Sequence, residues 1–184
     1  MMIRLFDIIF SFFGLLILSP IILLLLVIGL FDTGSPLFRQ ERVGINQKRF
    51  NLLKFRSMHV NTQTVATHLV QFNAITTWGS LLRKSKLDEL PQLFNVLLGD
   101  MSFVGPRPNL FNQIELIDER NKRGVFGVRP GITGLAQINK IDMSTPQLLA
   151  ETDAKMICQL NIFYYFKYIF LTVFGKGFGD RVRK

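Results

Sequence analysis

The chain is poor in three residue types that build common protein sites. Its 184 residues include one cysteine, Cys158, so no disulfide can form within the chain, which fits a reducing compartment. Two histidines, His59 and His68, make a poor zinc set with that cysteine, and we interpret both as structural or surface residues. A single tryptophan, Trp78, does not provide the interleaved aromatic and basic platform that binds nucleic acid, so we expect no nucleic-acid partner.

Acidic residues are also scarce relative to basic ones. The chain has 13 Asp and Glu against 22 Lys and Arg, a formal charge of +9. Such a balance favours an anionic partner, either a phospholipid surface or a phosphorylated substrate once nucleic acid is set aside. The length is enough for one domain with a real core and hardly enough for two.

The most apolar stretch is at the N-terminus, where residues 8–31 carry no charge. This stretch is long enough to cross a bilayer as a helix, and no signal-peptide cleavage pattern follows it. Ser19-Pro20 lies almost at its centre. Because Pro20 has no N–H for the Leu16 carbonyl, the helix must kink or break there, and the Ser19 hydroxyl can satisfy that carbonyl locally.

Basic residues flank this segment on both sides, Arg4 before it and Arg39, Arg42, Lys48 and Arg49 after it. Positive charge prefers the cytoplasmic side of a membrane. A re-entrant helix–break–helix over residues 1–32, entering and leaving on that side, is therefore one interpretation. A kinked transmembrane span is the other, and sequence physics alone leaves both open.

The remaining residues predict a small globular body of mixed α/β type that is mainly helical. Residues 37–44 and 48–56 predict a short β-hairpin. Residues 110–123 predict a surface helix, and residues 145–159 a helix capped by Ser144 or Thr145 with Glu151 and Asp153 facing solvent. The segments 78–84 and 163–171 predict amphipathic helices at a membrane interface. Residues 60–77 predict a loop, and the tail 176–184 is expected to be mobile.

Two acids inside a basic region, Asp88 and Glu89, stand just before Pro91 and an apolar run. Proline is tolerated in the first helical turn, so a helix over residues 91–98 would hold both carboxylates at its N-terminus. Unpaired N–H groups there keep a carboxylate ionised and also attract phosphate. Taken alone, the pair is more often a set of capping acids.

Four cations complete the candidate site. Lys54 and Arg56 are two residues apart, on one face if they lie in a strand, where they suit a diphosphate or simply form a solvated face. Arg107 stands between two prolines, which fix the backbone around a guanidinium suited to phosphate. Arg129 precedes a proline in a second glycine-bearing loop, whose small residues permit close backbone approach to a ligand.

Four motifs in this order resemble the bacterial sugar transferase family, the monotopic phosphoglycosyl transferases that start glycan assembly on a polyprenol carrier. They are Lys54-Phe55-Arg56-Ser57-Met58, Leu87-Asp88-Glu89-Leu90-Pro91-Gln92-Leu93, Gly105-Pro106-Arg107-Pro108 and Arg129-Pro130-Gly131-Ile132-Thr133-Gly134. The resemblance extends from Ser19-Pro20 to about Thr172.

The resemblance implies transfer of a sugar-1-phosphate from a UDP-sugar to polyprenol phosphate, with release of UMP. It implies Asp88 as the nucleophile that forms a phosphosugar intermediate and as the contact of a Mg²⁺ ion, and Glu89 as the group that assists proton transfer. It assigns Lys54, Arg107 and Arg129 to phosphate or nucleotide binding, and we add Arg56 from its place beside Lys54. It also implies a monotopic protein of the bacterial inner membrane, with residues 33–184 as a catalytic domain facing the cytoplasm. The expected partners are the UDP-sugar, polyprenol phosphate and membrane lipid, and a homodimer is left open.

The chain departs from the family pattern at several positions. Val60-Asn61 replaces an acidic residue common in the family, and Thr76-Thr77-Trp78 stands where a basic residue is usual. Near the C-terminus Asp153 matches, whereas Met156 replaces a usual tyrosine and Tyr165 a usual aspartate. These differences concern C-terminal contacts and sugar specificity rather than the Asp88 nucleophile.

The rival hypothesis is a membrane-tethered basic module that binds anionic lipid or nucleic acid without catalysis. It explains the charge and the apolar segment but gives no role to the acidic pair.

Overall fold

A computed structural model describes residues 2–60, 62 and 74–174 of the chain. Most of the predicted loop 60–77, His68 within it, and the tail 176–184 lie outside the described residues.

The described residues form a mixed α/β fold that is mostly helical, as the sequence predicts. The elements in chain order are α1 (Met2–Thr33), β1 (Leu37–Val43), β2 (Arg49–Phe55), α2 (Thr77–Ser85), α3 (Gln92–Leu98), β3 (Ser102–Val104), α4 (Ile114–Lys122), β4 (Gly131–Thr133), α5 (Leu135–Ile138), α6 (Pro146–Gln159) and α7 (Ile162–Val173). Short 3₁₀ turns cover Ile45–Gln47, Leu87–Glu89 and Val125–Gly127.

Helix α1 is one continuous helix with Pro20 inside it, so a hairpin made of two separate helices is not seen. The Ser19 hydroxyl donates to the Leu16 carbonyl at 2.8 Å. This is the carbonyl that Pro20 cannot serve, so the predicted local compensation is confirmed and accounts for the unbroken helix. By length and composition α1 could cross a bilayer. Its path relative to a membrane stays a prediction.

One face of α1 lies on the rest of the protein. The buried residues of the helix are Asp7, Ser11, Leu25 and Gly29, and Gly14 between them lies beside Leu93 of α3. These positions follow the helical repeat, so they share one side of the helix. The opposite side exposes large apolar residues along the middle of the helix, among them Leu16, Ile17, Leu23 and Leu24. This exposed apolar surface needs a covering other than water.

Both ends of α1 are fixed to the body by polar contacts. Near the start, Asp7 accepts hydrogen bonds from the Ser102 hydroxyl at 2.9 Å and the Phe103 N–H at 3.0 Å. At the end, Asp32 accepts a hydrogen bond from the Thr76 hydroxyl at 2.9 Å. The whole length of α1, and not one end alone, is thus part of the folded unit.

The predicted β-hairpin is confirmed. Strands β1 and β2 pair antiparallel, with Leu37 opposite Phe55 and Val43 opposite Arg49. A second sheet was not predicted: β3 and β4 pair in parallel. Their residues lie next to the two arginine loops, where the sequence indicated only rigid glycine-bearing turns. A strand of three residues is too short for its alternation to be recognised in a sequence.

The core lies between the hairpin, α3 and the C-terminal helices. Phe50 and Leu52 of β2 pack with Val96 and Met101. A second cluster joins the β3 strand to α6 and α7 through Val104, Met156, Tyr165 and Tyr168. Met156 and Tyr165, two of the departures from the family pattern, are fully buried. They therefore belong to the packing of α6 and α7.

Helix α6 begins at Pro146 after Thr145, as predicted, but the Thr145 side chain makes no capping hydrogen bond. The prediction that Asp153 faces solvent is wrong, because Asp153 is fully buried against Arg120 of α4. Arg120 is itself 1% exposed, so α4 is not wholly a surface helix. Glu151 does lie at the surface, where it pairs with Arg123 at 3.1 Å. A charged residue at a helical position can face either way, and only the fold decides which.

The two predicted amphipathic helices are present as α2 and α7. The Thr76 hydroxyl caps α2 by accepting the Gly79 N–H at 2.8 Å, and the Asn161 side chain caps α7 by accepting the Tyr164 N–H at 3.0 Å. Helix α7 buries Tyr165 and Tyr168 and exposes a row of large apolar side chains: Phe163, Phe166, Phe170 and Val173. Their location in a membrane interface stays a prediction.

Candidate active site

Asp88 and Glu89 lie in the 3₁₀ turn Leu87–Glu89 that joins α2 to α3. Helix α2 ends at Ser85, the next residue, Lys86, has a left-handed φ of 58°, and α3 follows Pro91. The predicted helix start is therefore confirmed, but both acids precede α3 and lie outside its first turn. Since α3 has only seven residues, its dipole contributes less to this site than the sequence suggested.

Glu89 is the point at which two of the predicted cations meet. Its Oε1 lies 3.4 Å from Lys54 Nζ and 3.3 Å from Arg107 Nη2. The three side chains are partly or largely shielded, with exposures of 13% for Glu89, 10% for Lys54 and 23% for Arg107. Asp88, one residue earlier, is 4% exposed. Charges shielded in this way interact more strongly than the same charges in water.

Lys54 reaches this point because it is in β2, directly before the last strand residue, Phe55. Arg56 lies beyond the strand and its guanidinium takes another direction. Its Nε donates to the Ser35 carbonyl at 2.8 Å and its Nη2 to the Leu37 carbonyl at 3.3 Å. These bonds fix the turn between α1 and β1. The structure thus brings Lys54 to Glu89 and engages Arg56 on backbone carbonyls.

Arg129 is placed at the other end of α3. Its Nε donates to the Gly99 carbonyl at 2.8 Å. Arg4 of α1 donates to the neighbouring carbonyls of Val96 at 2.6 Å and Leu97 at 3.0 Å. Two guanidinium groups thereby donate hydrogen bonds to carbonyls at the C-terminus of α3. Their positive charge also interacts favourably with the negative end of the helix dipole. Seven residues of α3 separate this end from Glu89, about 10 Å along the axis.

The two arginine loops lie side by side through their glycines. The Gly105 N–H donates to the Thr133 carbonyl at 2.9 Å, and the Gly131 N–H donates to the Pro106 carbonyl at 2.9 Å. A Cβ on Gly131 would lie 2.0 Å from the Gly105 nitrogen. The small residues therefore permit close approach of one loop to the other, where the sequence suggested approach to a ligand.

Two buried arginines that the sequence did not assign to the site hold the Arg107 loop. Arg42 Nη1 donates to the Pro108 carbonyl at 3.2 Å, and Arg120 Nη1 donates to the Arg107 carbonyl at 2.9 Å. Burial raises the pKa of the Asp153 carboxyl beside Arg120, and the guanidinium opposes that rise. No sequence signal marks these residues, because an arginine in a charged helix or an alternating strand is typical of a solvated face.

Comparison with known proteins gives a consistent result. The family model described as "Bacterial sugar transferase" matches residues 1–177. An uncharacterized sugar transferase, EpsL, of Bacillus subtilis is 40% identical over 171 residues, which cover 92% of this chain and 84% of that protein. The UDP-glucose:undecaprenyl-phosphate glucose-1-phosphate transferase of Escherichia coli is 38% identical over 189 residues, covering 95% of this chain and 40% of that protein. An uncharacterized sugar transferase of Haemophilus influenzae is 39% identical over 162 residues, covering 77% of this chain and 34% of that protein. The chain thus spans about a third to two fifths of two of these relatives and most of the third.

Proposed function

The chain belongs to the bacterial sugar transferase family, and we propose that this transferase moves a sugar-1-phosphate from a UDP-sugar to polyprenol phosphate. The observation that carries the proposal is the meeting of Lys54 and Arg107 at Glu89, directly after Asp88. It supports the proposal because two cations suited to phosphate contact the residue next to Asp88, a carboxylate suited to act as the nucleophile. The names of the E. coli, Klebsiella pneumoniae and Xanthomonas campestris relatives favour UDP-glucose as the first donor to test.

The proposed first step is attack by an Asp88 carboxylate oxygen on the β-phosphorus of the UDP-sugar. A new O–P bond forms to Asp88, and the bond from that phosphorus to the oxygen bridging the two phosphates breaks. The bridging oxygen leaves with the electron pair as UMP. Lys54 and Arg107 stabilise the charge that develops on the phosphate oxygens.

In the second step a polyprenol phosphate oxygen attacks the same phosphorus and the bond to Asp88 breaks. Asp88 regains its carboxylate, and the product is polyprenol-diphosphate-sugar. Glu89, fixed between Lys54 and Arg107, is the group that takes up a proton still carried by the acceptor phosphate. Two steps at one phosphorus permit two bulky substrates to use the same cations in turn.

A Mg²⁺ ion fits this donor set. Among residues 2–60, 62 and 74–174 no group of three or more His, Cys, Asp or Glu side chains could form an all-protein cage. Mg²⁺ is commonly held by one or two carboxylates together with substrate phosphates, and Asp88 with Glu89 offers such carboxylates. Bound there, the ion would neutralise diphosphate charge.

The role of the other two predicted cations follows from their present contacts. Arg129 and Arg56 hold backbone carbonyls at Gly99 and Ser35. Direct phosphate binding by either would require those bonds to be exchanged for substrate. We therefore propose Lys54 and Arg107 as the diphosphate-binding residues and keep Arg56 and Arg129 as predictions.

The contacts of α1 support a monotopic arrangement at the cytoplasmic membrane. Asp7 and Asp32 are both fixed to the body, although 25 residues of helix, about 38 Å, separate them. A span across the roughly 30 Å hydrocarbon core would force part of the charged body into lipid. We propose that both ends of α1 face the cytoplasm and that its exposed apolar side lies in the membrane. A soluble nucleotide sugar and a lipid-borne phosphate then reach one site from the same side.

The test of this function uses the full chain in detergent with undecaprenyl phosphate, Mg²⁺ and a panel of UDP-sugars. Wild type should release UMP with at least one sugar. Without acceptor, the intact mass should rise by one sugar phosphate. Asp88→Asn should abolish both signals, whereas Asp118→Asn, which removes the same charge from an exposed position of α4, should retain them.

Two outcomes would overturn the proposal. Full turnover by Asp88→Asn would remove the nucleophile assignment. Absence of UMP release with every sugar, together with binding to anionic vesicles, would favour the basic membrane-tethered module.

A further inference from the structure

The loop that carries Arg107 is fixed at each of its backbone carbonyls. The bonds are Gly131 N–H to Pro106 O at 2.9 Å, Arg120 Nη1 to Arg107 O at 2.9 Å, Arg42 Nη1 to Pro108 O at 3.2 Å and Val43 N–H to Asn109 O at 3.0 Å. The donors come from three separate parts of the chain, namely β1, α4 and β4. A surface loop normally leaves several carbonyls to water, so complete pairing indicates that the conformation of this loop is under constraint.

Arg120 makes the most extensive of these contacts. Besides the Arg107 carbonyl, its Nη1 donates to Asn109 Oδ1 at 2.8 Å. Its Nε and Nη2 donate to Asp153 Oδ2 at 3.1 Å and 2.6 Å. One guanidinium thus donates hydrogen bonds to α6 from Nε and Nη2 and to the loop from Nη1. The geometry needs the planar fork of arginine, which a lysine cannot reproduce.

The pair is fully shielded, with side-chain exposures of 2% for Arg120 and 0% for Asp153. Removing two charges from water is costly, and a buried ion pair often adds little net stability compared with apolar packing. Joining α4 to α6 is thus a weak reason for a guanidinium here. Orienting a specific backbone segment is a stronger one.

We propose that Arg120, held in place by Asp153, is a positioning residue for Arg107. It fixes the peptide from which the Arg107 side chain extends to Glu89, and so sets where the guanidinium meets the donor diphosphate. The inference rests on the proposed function in that Arg107 is taken to bind that diphosphate.

The local chain geometry explains why one carbonyl is decisive. Pro106 and Pro108 each have φ fixed by their rings, and Arg107 is further restricted because it precedes a proline. The main remaining freedom of Arg107 is rotation of its own carbonyl. Arg120 binds that carbonyl at 2.9 Å, so the last soft torsion before Pro108 is held by a buried side chain that Asp153 also binds.

The chain offers a matched control on the same helix. Arg123 also joins α4 to α6, through Glu151 at 3.1 Å, but at the surface. Its other bonds go to Glu119 within α4. Arg123→Lys therefore probes the link between the helices without touching the Arg107 loop.

The decisive experiment is a double-mutant cycle on UMP release with Arg120→Lys, Arg107→Ala and both together. We expect Arg120→Lys to lower kcat/KM about 30-fold in wild type and less than roughly twofold when Arg107 is already alanine. Arg123→Lys should have little effect in either background. Equal losses for Arg120→Lys in both backgrounds would overturn the proposal, because a purely structural role acts regardless of Arg107.

A second variant covers the case in which Arg120→Lys fails to fold. Asn109→Ala leaves the pair of Arg120 and Asp153 intact and removes one loop contact. Asn109→Ala should lower kcat/KM less than Arg120→Lys does, and this loss should also disappear in the Arg107→Ala background. A loss that persists there would contradict the positioning role.

Amide hydrogen exchange separates this inference from the function itself. In Arg120→Lys or Asn109→Ala, amides of residues 103–112 should exchange faster, while those of α6 and α7 keep wild-type rates. Uniform acceleration across the fold would indicate general destabilisation and would overturn the inference. If wild type releases no UMP from any sugar, the function fails, yet the exchange pattern still tests whether Arg120 holds the loop.

Discussion

The Asp7 carboxylate accepts a hydrogen bond from the Tyr165 hydroxyl at 2.9 Å, which joins the first helix of the chain to α7 across 158 residues. The same Oδ1 also accepts from Ser102 and Phe103 of β3. Asp7 is only 1% exposed, and Tyr165 is fully buried. A buried carboxylate in a mainly apolar helix thus fixes the start of α1 to the body.

Loss of this carboxylate should be strongly destabilising. Asp7→Leu leaves two buried donors and one partly buried donor without an acceptor, and we expect a loss of about 3 kcal/mol in the free energy of unfolding. Tyr165→Phe removes one donor and should cost about 1 kcal/mol. Denaturant unfolding in detergent measures both, and Tyr164→Phe on the same helix is the control. Equal effects of the two tyrosine variants would contradict the role of this bond.

The contribution of Tyr165 to the free energy of unfolding should fall at alkaline pH. Burial, and next the Asp7 carboxylate, raise the pKa of Tyr165. A raised tyrosine pKa favours the protonated folded state, so the contribution is fully present below the unfolded pKa of about 10 and is lost as pH rises above it. The difference between wild type and Tyr165→Phe should be constant from about pH 6 to 9 and change only at more alkaline pH.

Local features of the sequence predicted local structure well. The conformational limits of proline predicted that α6 starts at Pro146. They also predicted the hydrogen bond from the Ser19 hydroxyl to the Leu16 carbonyl. Alternation and turn residues predicted the hairpin of β1 and β2. Each of these depends on residues within a few positions of one another, so a single stretch of sequence contains the needed information.

Contacts between distant parts of the chain were not predictable in the same way. The pairing of Arg120 with Asp153, and of Asp7 with Tyr165, joins residues 33 and 158 positions apart. Nothing in a charged helical segment indicates which charge will be buried. In the site, the motifs brought Lys54, Glu89 and Arg107 together correctly, whereas Arg129 is engaged on the far end of α3.

The contact between the two arginine loops should tolerate no side chain at Gly131. A Cβ there would lie 2.0 Å from the Gly105 nitrogen, and backbone atoms cannot move aside cheaply. Gly131→Ala should cost about 3 kcal/mol or more and abolish UMP release. Gly127→Ala is the control, because nothing lies within 4 Å of its added Cβ. Wild-type melting temperature and activity in Gly131→Ala would show that the two loops separate more easily than their hydrogen bonds imply.

Glu89 contacts the two cations that we propose bind substrate phosphate, and it should compete with that phosphate for them. Removing its charge in Glu89→Gln should leave Lys54 and Arg107 more attractive to a diphosphate, since one neighbouring negative charge is gone. We expect UDP to bind about tenfold more tightly by calorimetry, equivalent to about 1.4 kcal/mol, while turnover falls because proton transfer is lost. Glu115→Gln, an exposed position on α4, should change neither quantity. Weaker UDP binding by Glu89→Gln would indicate that Glu89 orients the cations and does not compete for them.

The placement of α1 can be tested with the one native thiol removed. In a Cys158→Ser background, single cysteines at Met2 and Phe31 occupy exposed positions at the two ends of the helix. If both ends face the cytoplasm, a membrane-impermeant maleimide should label both cysteines in inside-out vesicles and neither in right-side-out vesicles. A spanning helix would instead expose one cysteine in each preparation.

Cysteine at Leu16 or Ile17, on the exposed apolar side, should resist labelling in both, because lipid and not water covers that side. Opposite accessibility of the two ends would mean that the contacts of Asp7 and Asp32 with one body do not persist in the membrane, and the monotopic arrangement would have to be abandoned.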